Sequence, residues 1–222
     1  MDRMILYTPE VLYAVIAYYN AQVFPAQLIA AALALVAVGV ALSGRPAAGG
    51  IAAAVGGGLW VWCGLTWFGT HYETINWAGF YYALAFAAQG ALLLFWAIFR
   101  RRRLSPGAVV SGHGSGRLRA GGALALYALA LHPLIEWTIG KSWAQAQYVG
   151  GSPDATVVFT LGLLAAVGRT PIWLTVISVL WLLLSGVWNL LLGAPDRLIL
   201  PVLGLAFVAL LALGIKRRPA KA

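Results

Sequence analysis

The chain reads as an all-α, polytopic transmembrane helical bundle. Three observations predict this. Hydrophobic residues make up 62% of the 222 positions and charged residues only 9%, where an ordinary soluble domain carries about 25% charged residues. Apolar stretches near the ~20 residues needed to cross the hydrocarbon follow one another along the chain. Basic residues gather in alternate connections, as they do in membrane proteins. A mean hydropathy of +0.85 agrees. This composition excludes a soluble enzyme and a disordered chain, and a lone cysteine, Cys63, excludes a disulfide scaffold. The net charge of +9 would suggest nucleic acid in a soluble protein. Here the placement of the charges explains it, and no nucleic-acid partner is expected.

The elements follow in order. No cleavable leader is read at Met1-Asp2-Arg3-Met4. Thr8-Pro9-Glu10 writes a helix start, with a hydroxyl at N-cap, proline at N1 and an acid in the first turn. It opens segment 9–21, too short and mixed to span, which predicts an interfacial helix. The expected spans are 24–43, 49–69, 76–99, 120–139, 154–168, 172–192 and 197–215. The fifth opens on Ser152-Pro153-Asp154 and reaches only about 22 Å, so it needs local thinning or shielding by neighbours. Segment 104–119, Gly/Ser-rich with scattered arginines and His113, reads as a flexible cytoplasmic loop. The whole chain, 1–222, forms one integral membrane domain.

Charge sets the expected orientation. Arg45, Arg100, Arg101, Arg102, Arg103, Arg117, Arg119, Arg169, Lys216, Arg217, Arg218 and Lys221 share the inner side if seven segments cross with the N-terminus outside and the C-terminus inside. Arg3, Lys141 and Arg197 are the exceptions. All six acids (Asp2, Glu10, Glu73, Glu136, Asp154, Asp196) fall outside. The expected location is the bacterial inner membrane, with anionic lipids at Arg100, Arg101, Arg102 and Arg103. Trp67, Tyr72, Trp77, Tyr81, Tyr82, Trp137, Trp143, Tyr148 and Trp188 read as an outer aromatic belt, with Trp96 and Trp173 at the inner face. Trp60, Gly64 and Trp67 echo Trp181, Gly186 and Trp188, a weak signal for a 3+1+3 repeat; chance similarity between Gly/Trp-rich helices explains it equally well.

Chemistry-bearing motifs are sparse. There is no Cys-x-x-Cys, His-Glu-x-x-His, Gly-rich phosphate loop or Gly-x-Ser-x-Gly, and no cofactor or metal is expected. Polar residues inside apolar spans are expensive and therefore informative. His132 and Glu136 lie one helical turn apart, with Pro133 between them to kink the span. They form a candidate proton or substrate site, or a structural polar contact at the outer rim. Gln89, Asn20, Gln27, Asn189 and His71 complete the candidate set. Most of these groups belong to the outer half, and the inner half is Ala, Leu, Val and Gly. That pattern predicts a bundle closed toward the cytoplasm with a polar pocket open outward.

Thr8-Pro9-Glu10, Tyr19-Asn20-Ala21-Gln22-Val23-Phe24-Pro25-Ala26-Gln27 and Pro153 through Phe159-Thr160-Leu161-Gly162-Leu163-Leu164 resemble an uncharacterised family of small bacterial multi-pass membrane proteins, a domain of unknown function. Some of its members carry the automatic label of transporter permease. The family pattern has a His after the glycine matching Gly140 and a Cys between two prolines. Here those positions are Lys141 and Asp154, and the second proline is Ala155. The resemblance implies that any metal or redox role of that His and Cys is lost in this chain, and it supplies no mechanism. Three functional readings stay open: a small-solute or ion permease, a non-catalytic accessory or structural membrane subunit with a protein partner or as a homo-oligomer, and a membrane-embedded enzyme.

Overall fold

The computed structural model describes the backbone of residues 6–43, 45, 47–103, 115–168 and 170–216, and the side chains of these except at 100–103, 115 and 213–216. Among the described residues the chain is all-helical, with no strand. Helices α1 (Pro9–Val23) and α2 (Ala26–Leu42) meet at 85° across Phe24-Pro25. Then come α3 (Ala48–Cys63), α4 (Gly79–Arg103), α5 (Ser115–Leu126), α6 (His132–Thr138), α7 (Pro153–Ala166), α8 (Trp173–Leu192) and α9 (Ile199–Lys216). π turns at Gly64–Phe68 and Tyr127–Leu131 extend α3 and join α5 to α6.

Five stretches are long and apolar enough to cross a membrane, six if α1 and α2 make one bent span. Helix α7, with 14 residues, falls below that length. It is nonetheless the centre of the bundle: every residue from Pro153 to Ala166 is buried. A helix apolar on all sides is one surrounded by protein, and its neighbours relieve it of the need to match the bilayer.

Two sequence expectations are corrected locally. Thr8 and Ser152 do sit at N-cap before Pro9 and Pro153, but neither hydroxyl makes a capping bond; the Thr8 side chain turns to Glu10. The expected loop 104–119 is shorter, because helix α5 begins at Ser115. Arg117, Leu118 and Arg119 are good helix formers, and their charges do not outweigh that. Residues 104–114, with His113, lie outside the described residues.

Pro133, expected to kink its helix, is accommodated by a π turn. It has no N–H, and its ring would collide with the carbonyl one turn earlier. The backbone widens into the π turn over Tyr127–Leu131 immediately before it, and α-helix resumes at His132.

Small residues let the helices close. A Cβ on Gly57 would stand 2.8 Å from the Gly90 carbonyl oxygen, and one on Gly90 would stand 2.7 Å from that of Gly57. These two residues mark the α3–α4 crossing. Gly121 and Gly162 do the same where α5 crosses α7. Such backbone-to-backbone approach is the packing device of helices in lipid.

One end of the bundle is polar. Helix α1 lies across it, bonded to the turn after α3, to the loop after α6 and to the turn before α9, while Tyr7, just before it, bonds to Tyr72 and to Trp188 of α8. The opposite ends of these helices carry Arg45, Arg117, Arg119 and Lys216.

Candidate functional site

The polar end is organised by Lys141, in the loop after α6. Its Nζ donates to Glu136 Oε1 at 2.7 Å and to Asp196 Oδ2 at 2.6 Å. Glu136 projects from α6 and is fully buried; Asp196 sits in the 3-10 turn leading into α9 and is part-exposed. Tyr13 of α1 donates its hydroxyl to Asp196, 2.7 Å from Oδ2 and 2.9 Å from Oδ1. The Lys141 ammonium also lies 4.9 Å from the Tyr13 ring centroid, a cation–π distance. One cation thus ties three segments far apart in sequence.

Gln147 extends this cluster inward. Its backbone N–H donates to Glu136 Oε2 at 2.6 Å, and its side-chain Nε2 donates to Oε1 at 3.3 Å. That nitrogen is also 3.5 Å from His132 Nε2, which lies 3.6 Å from Glu136 Oε2. The Gln147 Oε1 accepts from Arg197 Nη2 at 3.4 Å, while Arg197 Nε donates to Asn189 Oδ1 at 3.3 Å. Asn189 donates in turn to Ser185 Oγ at 3.1 Å. In the same loop, burial and the Glu136 charge raise the pKa of the Tyr148 hydroxyl, which donates to Trp143 O at 2.7 Å.

Arg197 leads to a cavity of about 40 Å³, room for one or two water-sized molecules. Asp154 forms part of its wall, 1% exposed at the N-terminal end of α7, where the helix dipole favours a carboxylate. Its Oδ1 accepts from Trp181 Nε1 at 2.8 Å, and Ser185 and Arg197 also face it. Aromatic rings, among them Tyr7, Trp67, Tyr72, Trp181 and Trp188, close most of the rest. Tyr7 and Tyr72 share a hydrogen bond of 2.6 Å; Trp188 donates to the first and Asn76 to the second. The pair therefore uses one of its two hydroxyl hydrogens internally and has the other to spare. Arg197 Nη1 is buried with no partner.

The chain matches the model of a family of unknown function, DUF6064, over residues 9–220. It belongs to that family. No curated protein and no solved structure matches it.

In this DUF6064 member the sequence-chosen residues divide into groups. His132, Glu136 and Asn189 belong to one network through Gln147 and Arg197. Asn20 and Gln27 form an adjacent clamp: Asn20 Nδ2 donates to the carbonyls of Ala144 (2.7 Å) and Ala146 (3.0 Å), and its Oδ1 accepts from Gln27 at 2.6 Å. His71 stands apart, joined to Thr66 O and to Gln22 of α1. Gln89 is separate again, donating to Leu174 O at 2.7 Å. Leu174 lies about 22 Å along α8 from Asn189, so Gln89 does not converge on the cluster. None of these seven except Asn189 lines the cavity.

Sequence reasoning passed over Lys141, Gln147, Asp154, Arg197 and Tyr13. A signal for two of them was present: Lys141 and Arg197 were exceptions to the segregation of basic residues. Each is an exception because it serves a buried polar network rather than the membrane surface. The aromatic belt needs correction too. Trp77, Tyr81, Trp137 and Trp143 are well exposed, but Trp67 and Tyr72 are buried: they wall the cavity and do not anchor in lipid. Among the described residues no group of three His, Cys, Asp or Glu side chains could hold a metal ion.

Proposed function

We propose that this family member is a multi-pass permease of the bacterial inner membrane that takes a small polar solute or ion into the cavity beneath α1. In this reading seven segments cross, the N-terminus is outside, the C-terminus is inside, α1 rests in the outer interface, and Arg100, Arg101, Arg102 and Arg103 meet anionic lipids; the side chains of those four lie outside the described residues. The observation that carries it is the unspent donor capacity around the cavity. Beside the buried Asp154, Arg197 Nη1 has no partner, and the Tyr7–Tyr72 pair has one hydroxyl hydrogen that its own mutual bond does not use. Buried polar groups normally find partners, and a small ligand with an acceptor group would satisfy these. Leu12 of α1 and Tyr7, two residues before that helix, line the cavity wall, so movement of this segment would open the site outward.

A second reading is a non-catalytic accessory subunit. The enclosure of the His132–Glu136 pair favours it: both are 0% exposed, and Glu136 has all its partners within the chain. A network of this kind can serve only to fasten α1, α6 and α9 together.

Purified protein in liposomes separates the two. Proton flux is followed with a trapped pH dye, ammonium, sodium and potassium by ion-selective electrodes, and small neutral solutes by light scattering. The permease reading expects flux of at least one probe, lost in Asp154→Asn and Arg197→Gln and kept in Gly39→Ala, whose site has open space. Flux equal to that of protein-free liposomes for every probe overturns it in favour of the accessory reading.

A further inference from the structure

Gln89 stands outside the cavity network, and its own surroundings give it a task. Helices α4 and α8 run antiparallel. Phe86 of α4 meets Trp181 of α8 with ring centroids 5.1 Å apart, while Gln89, further along α4, reaches Leu174, further back along α8. A helical turn is three to four residues, so one turn from the ring pair sets Gln89 opposite Ser178. Both are fully buried. Gln89 lies about 15 Å along α4 from Gly79, half of a ~30 Å hydrocarbon core.

Each of the two carries a polar atom without a partner, Gln89 Oε1 and Ser178 Oγ. A serine within a helix commonly turns its hydroxyl to the carbonyl four residues back, here that of Leu174. That carbonyl accepts the Ser178 N–H within α8 and Gln89 Nε2 at 2.7 Å, and two bonds use both of its lone pairs. The side chain that takes the local acceptor of Ser178 thus brings an open acceptor of its own to the same turn. Buried polar atoms normally find partners, and this pair asks for a molecule that can both accept and donate. A cation has no acceptor for the hydroxyl hydrogen, and an anion has no donor for the amide carbonyl. Two neutral oxygens do not replace the hydration of either. A water molecule meets both needs, and two polar partners suffice to hold one.

We propose that the α4–α8 crossing is a binding site for one buried water molecule, which accepts from Ser178 Oγ and donates to Gln89 Oε1. The site is separate from the cavity, whose wall includes neither residue, and it needs neither the permease nor the accessory role.

Radiolytic labelling of the purified full chain, equilibrated in heavy-oxygen water, tests it. Radiation turns a bound water into a hydroxyl radical that oxidises the adjacent side chain, so heavy oxygen marks water that is buried. Peptide mass spectrometry reads the label at Leu174, itself fully buried. The expected result is heavy oxygen on Leu174 in the unaltered chain. The label should fall several-fold in Ser178→Ala and in Gln89→Met, which keeps the length but not the carbonyl. It should persist in Ser178→Thr, which keeps the hydroxyl. The exposed Trp77 should be labelled equally in every chain and reports the dose, and a retained thermal unfolding transition reports the fold. Absence of heavy oxygen from Leu174 in the unaltered chain overturns the proposal, with no variant needed; it is the result expected if Gln89 and Ser178 bond directly. A label that survives undiminished in both Ser178→Ala and Gln89→Met also overturns it, by placing the water elsewhere.

Discussion

Gly121 and Gly162 meet backbone to backbone, each placed so that a Cβ on it would stand 2.6–2.7 Å from the other's carbonyl oxygen. This contact seats α5 on the buried α7. Neither backbone can shift easily, because Ala125 and Ala166 crowd the same crossing. Gly162→Ala should therefore cost about 1–3 kcal/mol, the usual range for overpacking. Gly39→Ala, with nothing within 4 Å of the added methyl, should be neutral or slightly stabilising. Thermal unfolding of both variants in one detergent checks the difference; equal midpoints would refute the close crossing.

Trp181→Phe keeps a ring against Phe68 and Phe86 but removes the N–H that Asp154 accepts. A buried carboxylate deprived of a donor costs about 1–3 kcal/mol. Combined with Asp154→Leu, which removes the acceptor, the two changes should be non-additive by more than about 0.5 kcal/mol. Additive losses in a double-mutant cycle would mean that the bond contributes nothing.

At Glu136, charge and shape can be separated. Glu136→Leu leaves the Gln147 backbone N–H without an acceptor and takes one of the two carboxylates from Lys141. Breaking a buried pair from one side costs about 3–5 kcal/mol. Glu136→Gln preserves an acceptor for that N–H, and Lys141 retains Asp196, so its loss should be clearly smaller. Chemical unfolding of the two variants gives the order; a larger loss for Gln would contradict the network.

Topology is open to a direct assay. Reporter fusions after Arg103 and at the C-terminus should both report the cytoplasm, since the basic clusters at both positions hold to that side. A periplasmic signal from either would remove the orientation proposed above.

The class of the protein was legible in composition, and the helices in hydropathy, because lipid permits few alternatives. The burial of α7 was half legible: Asp154–Gly168 was too short for a free span, and only packing shows that its neighbours enclose it. His132 and Glu136 were found because a polar pair at helical spacing in apolar surroundings has few explanations. The cavity was hidden for a different reason. Tyr7, Tyr72, Asp154 and Arg197 lie on four separated segments, and aromatic residues near helix ends read the same way whether they face lipid or one another. The exceptions to the charge rule were the better guide, and they pointed at Lys141 and Arg197 without naming their partners.

The hydroxyl of Tyr13 reaches a carboxylate 183 residues further along the chain. A ribosome that has just delivered α1 has yet to make the turn before α9, so this bond can close only near the end of synthesis. The bonds of α1 to Thr66 and His71 and to the loop at Ala144 and Ala146 come within reach earlier, and the one to Asp196 is the last of them. A chain cut short before that turn would leave Tyr13 without its carboxylate however well the helices in between had packed.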